Sequence, residues 1–388
     1  MRTIDSIEPD WQNLISKLSR IIDLDTTARD SGALLRRRIV QDGATLLRLA
    51  LAYGPGGMSL RSAAAWAGLN DVANLSDVAL LKRLRGSADW LGDIAGALLI
   101  NASKAVPSTG SRRLRIADGS SISQPGSAGT DFRLHATYEP ALSRFTHLEI
   151  TDAHGGEAFA RVLLQAGDIV VGDRAYARAP SLEKVVAAGA DFIVRSGWRT
   201  IRIVMADGRP IDWNAVFGPM QVGEVCEIDV FIEHSGHKQK GRGKPLFQAR
   251  LIIKRKDAEA AARSLKSAIS GHQRRRPSQA MLPTTVTAAG FVMVLTSIPA
   301  TDMSAEAVLG VYRLRWQIEL AFKRLKSGLG IHKLPAKDPR LARTWLMAHL
   351  ILALMIDEAV NDVLDSPPLW RGQTVMPSRF LCGGCMTC

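Results

Sequence analysis

Cysteine is scarce: four in 388 residues, too few to staple a fold with disulfides. Three of the four, Cys382, Cys385 and Cys388, close the chain as CGGCMTC. That run lacks the fourth ligand a structural zinc site needs, and reads as a fraying tail. Acidic residues are also short, 37 Asp plus Glu against 50 Lys plus Arg, which leaves a net charge of +13 and a pI near 9.9. Such a balance predicts a polyanionic partner, of which nucleic acid is the commonest. A membrane surface competes for the same charge, but no long basic amphipathic helix supports it. Long apolar runs are missing too. The most apolar stretch, WLMAHLILALM from Trp345 to Met355, reads as a core helix of about eleven residues, short of a membrane span. The opening MRTIDSIEPDWQ carries acids where a signal peptide needs an apolar run. These absences lead us to expect a cytoplasmic protein with no membrane partner.

What is present is enough apolar sequence, 46% against 22% charged, to bury a sizeable core, and enough length for two or three domains. Residues 1–105 read as an all-helical N-terminal domain: apolar positions recur at helical spacing through Trp11, Leu14, Ile15 and Leu18 and again through Leu46 to Leu51. Within it, SLRSAAAWAGL capped by Ser59, a polar turn, and a second helix carrying Lys82, Arg83 and Arg85 outline a helix-turn-helix for DNA. An ordinary bundle with a basic face has the same composition.

After a Pro, Ser and Thr-rich break, residues 106–195 alternate strands and helices. Leu114–Ala117 runs into Asp118-Gly119; Phe132–Ala136 and Phe145–Ile150 alternate apolar and polar; Glu157–Gln165 reads as a helix; Asp168–Gly172 is a short buried strand that ends at Asp173. This succession resembles the first part of a ribonuclease-H-like core. Residues 196–290 read as a β-rich basic insertion: between His234 and Arg276 there are 13 Lys or Arg and only two acids, Asp257 and Glu259. The loop HKQKGRGK suits sequence-independent phosphate contacts; His234 and His237 beside it are metal ligands by residue type alone. Residues 291–365 return to the core, and 366–388 form an atypical tail that suggests a shifted or truncated frame. The expected class is α/β.

Near the end stand Tyr312, Arg315, Glu319 and Lys326, spaced Tyr-x2-Arg-x3-Glu-x6-Lys. On one continuous helix these offsets fall within an arc of about 60°. Asp118 and Asp173, each at the point where an apolar strand meets a turn, add two carboxylates to Glu319. Three carboxylates without His or Cys favour hard cations, Mg2+ or Mn2+, over zinc, and two such ions suit an in-line displacement at phosphorus. Arg315 and Lys326 would hold a phosphate and Tyr312 would donate to it. Each residue has a plainer explanation: a solvated helix face, a common Asp-Gly turn, a local Asp173–Arg174 pair.

With its signature complete as YRLRWQIELAFKRLK, and with ADGSSIS and VVGDRAYA as the two Asp motifs, the chain resembles bacterial DDE transposases of the insertion-sequence-4 family. The resemblance implies Asp118, Asp173 and Glu319 as catalytic, metal-holding residues with two Mg2+ or Mn2+ ions, and a β-rich insertion between the second Asp and the Glu. It also implies double-stranded DNA partners (terminal inverted repeats and target), a homodimer in the active complex, and a tryptophan of the insertion near the DNA end, Trp198 or Trp213. The implied reaction is cleavage at the ends of an insertion sequence and strand transfer. Two other readings stand beside it: a DNA-binding regulator or inactive remnant with a truncated C-terminus, and a general structure-selective nuclease.

Overall fold

The structure is a computed structural model that describes residues 7–104, 112–127, 129–142, 144–233, 245–276, 278–316, 318–319, 334–335 and 337–365. Lys326, the loop with His234 and His237, and the tail with its three cysteines lie outside the described residues.

Six helices open the chain: α1 (Ile7–Ser19), α2 (Leu24–Asp30), α3 (Gly43–Tyr53), α4 (Leu60–Leu69), α5 (Asp77–Arg85) and α6 (Ala88–Lys104). Their starts are chemically marked. The side chains of Asp23, Asp42, Ser59 and Ser76 each accept a backbone N–H of the first turn that has no partner within its helix. On α6 the buried positions Trp90, Leu91, Ile94, Ala95, Leu98 and Leu99 form one helical stripe, and the Trp90 indole donates to Thr27 Oγ1 at 3.1 Å.

The remainder is built on one nine-stranded sheet, ordered β3-β2-β1-β4-β5-β9-β8-β7-β6. Its strands are β1 (Leu114–Ile122), β2 (Phe132–Glu139), β3 (Arg144–Asp152), β4 (Ile169–Gly172), β5 (Asp191–Ser196), β6 (Ile203–Met205), β7 (Val225–Glu233), β8 (Pro245–Arg255) and β9 (Phe291–Thr296). Strands β1, β4 and β5 run parallel; every other neighbouring pair is antiparallel. The chain leaves the sheet at β5 and returns at β9, so the three strands between them in sequence extend the same sheet. The expectation of a β-rich stretch over 196–290 needs amending in content, because α8 (Trp213–Phe217), α9 (Ala258–Arg275) and α10 (Pro283–Ala288) lie within it.

Period-2 alternation divides the central strands between two cores. Ile116, Ile169, Val171, Ile193, Ile252 and Val294 join the core shared with the N-terminal helices. Their neighbours Ala117, Val170, Phe192, Val194, Leu251 and Leu295 join the core on the opposite face, with α7 (Ala179–Ala187). All four residues of β4 are buried, and each large one contributes about 1.5–3 kcal/mol by leaving water. A buried ion pair fixes the entry to this centre: Arg113 reaches Asp168 with two bonds of 2.9 and 3.1 Å, and Arg115 approaches it at 3.4 Å.

Among the described residues, two further helices with both ends defined complete the core. α11 (Ala305–Arg313) is capped by Ser304. α12 (Pro339–Asp365) is far longer than the eleven residues expected. Its window Pro339–Ile356 is apolar and long enough to cross a membrane by composition, and 61% of that window is buried within the protein. It packs on α3, α5 and α6, and Thr344 donates to the Leu84 carbonyl at 2.5 Å; it is a core helix. The expected helix over Glu157–Gln165 is absent. Only one 3-10 turn, Phe159–Arg161, forms, and Ala158 before it provides no side-chain cap. Gly155 and Gly156 precede it, a poor start for a helix.

Candidate active site

The last paired residues of the parallel β1–β4 ladder are Ile116 and Val171. Two residues beyond each come Asp118 and Asp173, so parallel register alone brings the two aspartates to adjacent positions. Asp173 lies at the end of its strand, as expected, where its carboxylate accepts the Ala175 N–H at 2.7 Å. Asp118 does not. β1 continues to Ile122 because β2 goes on pairing with it, Asp118 opposite Ala136; Asp118 therefore occupies the place where β1 outruns its parallel partner.

Asp118 is a stressed acid. Burial, with Asp173 and Glu157 nearby, pushes its pKa up to about 6, against the Gly119 N–H and the Arg315 guanidinium, which favour the charged form. Glu157 is a further carboxylate here, one that no sequence motif marks. It is held by Arg133 at 2.9 Å, and its own pKa is raised by burial and by Asp173. Two glycines allow the crowding. A Cβ at Gly119 would lie 2.6 Å from Glu157 Oε1, and one at Gly172 would lie 2.8 Å from the Tyr176 ring and 2.9 Å from Phe159. The Tyr176 hydroxyl is buried near all three acids, and its pKa is raised by that burial and by their charge.

The Tyr-Arg-Glu stripe does not lie on one continuous helix. α11 ends at Arg313, a turn occupies Leu314 and Arg315, and helix resumes at Trp316. The break swings Arg315 inward. Its guanidinium lies 3.7 Å from Asp118 and donates to Glu319, whose side chain is 53% exposed. Tyr312 stays at the site: its pKa is raised by burial and it bonds to Arg315. Arg315 thus links two of the predicted acids, Asp118 and Glu319, while Asp173 stands beside Asp118 through the strand register. Among the described residues no three His, Cys, Asp or Glu side chains form a ready metal-ligand set.

The other predicted DNA-facing residues separate. Trp198 lines a cavity of about 1420 Å3, with the Arg199 guanidinium 5.3 Å from its ring centre. Trp213 instead stacks on Phe217. On α5, Lys82 is exposed, whereas Arg83 donates to the Arg36 carbonyl at 2.8 Å and Arg85 pairs with Asp338 at 2.5 Å.

Residues 109–356 match the family described as "Transposase DDE domain". The chain belongs to the DDE transposase family. It is 44% identical to the transposase InsL of insertion sequence element IS186A from Escherichia coli K12 over 363 residues, 93% of this chain and 97% of that one. It is also 44% identical over 364 residues to the transposase of insertion sequence element IS421 from Escherichia coli, with the same coverage. A solved structure described as a piggyBac transposase synaptic complex with hairpin DNA aligns with 89% of this chain and 72% of its own at 10% identity and a TM-score of 0.40. As a DDE transposase this protein is an enzyme of insertion-sequence transposition: it cleaves DNA and transfers strands.

Proposed function

We propose that Asp118, Asp173 and Glu319 are the catalytic carboxylates of this transposase, set in a ribonuclease-H-like core of the insertion-sequence-4 type. The observation that carries the reading is the placement of Asp118 and Asp173 side by side by the β1–β4 register, with Arg315 bridging Asp118 to Glu319. The strand order β3-β2-β1-β4-β5, with only β2 running against the other four, supports the core type.

The donor set suits hard divalent ions. Asp118 is half-buried and held above its ordinary pKa beside two further acids, and all the donors are oxygens. Two Mg2+ or Mn2+ ions, held by Asp118, Asp173 and Glu319, would activate the attacking oxygen and steady the leaving one. The protein's own groups do the rest. Arg315 neutralises Asp118 and Glu319 until DNA arrives; turning toward a phosphate then frees both acids. Tyr312, already bonded to Arg315, donates to the same phosphate, with Lys326 as its second cation. Glu157, locked by Arg133, keeps the pocket negative without leaving its place. In cleavage, water attacks phosphorus and the bond to the 3′ oxygen breaks, leaving a 3′-hydroxyl; in transfer that hydroxyl attacks a target phosphodiester and displaces its 3′ oxygen.

Further partners of the same reading are terminal inverted repeats and target duplex, a second copy of the chain to pair two ends, and Lys82 of α5 as an exposed contact to DNA, in the cytoplasm of a bacterium. The test uses full-length protein and a duplex carrying the element's ends. Cleavage should need Mg2+ or Mn2+ and disappear in Asp118→Asn, Asp173→Asn and Glu319→Gln, with end binding retained. Undiminished cutting by all three variants would remove the assignment.

A further inference from the structure

The cavity of about 1420 Å3 that reaches Arg174 is larger than the roughly 300–1,000 Å3 of a small-molecule site. Its floor is the end of β5 and β9, and its wall is α9. Arg174, next in sequence to Asp173, opens into it. So do Arg195, Lys256 and Arg275, and among the described residues that line it there is no Asp or Glu. Neutral donors such as Thr200 and Ser267 fill the gaps between the cations.

An acid-free basic cavity is costly to fold, because its charges repel and lose water together. The consequence is visible in one of them. Desolvation, then Arg195 and Arg174, brings Lys256 down to about 8. Lys256 is held in position by Ser264 at 2.8 Å and the Ala289 carbonyl at 2.7 Å, neither of which carries a charge. Cations gathered around a cavity whose lining has no acid, and mixed with hydroxyls, match anionic oxygens in a row, the chemistry of a sugar-phosphate backbone.

We infer that this cavity binds consecutive backbone phosphates of the DNA flanking the scissile phosphodiester, with Arg174, Arg195, Lys256 and Arg275 as the contacting cations. The inference rests on the catalytic reading above for its orientation, since Arg174 ties the cavity to Asp173. It separates the cations that position the flanking strand from Tyr312 and Arg315, which serve the reacting phosphate.

The test is equilibrium binding of the full chain to a terminal-repeat duplex across a salt series, with cleavage followed in parallel. Arg195→Gln and Arg275→Gln should each weaken binding several-fold at about 0.1 M salt and flatten the log–log salt dependence by about 0.9 for each phosphate no longer neutralised. Asp118→Asn should keep the wild-type salt slope while losing cleavage. Arg275 is exposed on α9, so its variant decides the matter if Arg195→Gln fails to fold. Wild-type affinity and slope in a folded Arg275→Gln protein, and in Arg195→Gln if it folds, would overturn the inference and leave the catalytic reading intact. Cleavage by Asp118→Asn with flattened slopes in the arginine variants would do the reverse.

Discussion

Asp173 and Arg174 are neighbours in sequence, yet they belong to regions of opposite character. On one side Asp118, Asp173 and Glu157 gather negative charge at the β1–β4 crossing; on the other Arg174, Arg195 and Lys256 gather positive charge around a cavity. One cause, the loss of water, acts on both and shifts them in opposite directions. It raises Asp118 to about 6 and lowers Lys256 to about 8, in each case toward the neutral form. Relief between the clusters is partial: Asp173 favours the charged form of Arg174, but desolvation and Arg195 outweigh it. Each is therefore ready for an external partner of opposite sign, cations for the acids and phosphates for the bases. The contrast shows how a fold can store two complementary binding sites a single peptide bond apart.

The strongest way to break this contrast is to remove the acids. Asp118→Asn or Asp173→Asn should lower the cleavage rate by about a thousandfold or more, measured as single-turnover nicking, while end binding changes little. A second measurement sharpens the negative half. For the protein freed of metal by chelation, the raised pKa of Asp118 means that its contribution to stability is complete below its unfolded value, near 4, and is lost as pH rises through about 6. Asp118→Asn should remove that slope and gain on the order of 2–3 kcal/mol at pH 7, read from denaturant midpoints. Crowding at the strand end should show as a loss of about 1–3 kcal/mol in Gly172→Ala, since the new methyl meets Tyr176 and Phe159. The smallest effect belongs to Glu157→Gln. Taking away one of the charges that raises Asp118 should move the acid limb of the cleavage pH profile downward by about half a unit.

How much of this is legible in the sequence depends on where periodicity operates. The short apolar run Ile169–Gly172 and the run Leu114–Ala117 announce two buried strands, and the acid after each announces the pair. Parallel register then does what no linear pattern states, bringing Asp118 level with Asp173. Glu157 escapes because it sits in an irregular segment, in which two glycines and an uncapped turn replace the helix expected there. Its signal is indirect: a glycine at 119, where a side chain would collide with it. The expectation of one helical stripe for Tyr312, Arg315 and Glu319 fails in geometry, for Leu314 and Arg315 form a turn and Arg315 lies near Asp118. The basic surplus after residue 234 is visible as charge. Its use is not, because no linear pattern states that the helix Ala258–Arg275 walls a cavity.

Strand β9 bears on how such an enzyme moves. It is inserted between β5 and β8, hydrogen-bonded on both sides, so a single backbone ladder runs from the aspartate pair to the outermost edge of the basic region. A ladder of this kind transmits position without a hinge: the floor beneath Arg195 cannot tilt against Asp173 unless strand pairing breaks. Adaptation to a duplex therefore falls to the DNA, through bending, and to the junction after Arg313, where the helix is already interrupted. Under the proposed assignment, the stiff element sets the distance along the nucleic acid, and the interrupted one carries Glu319.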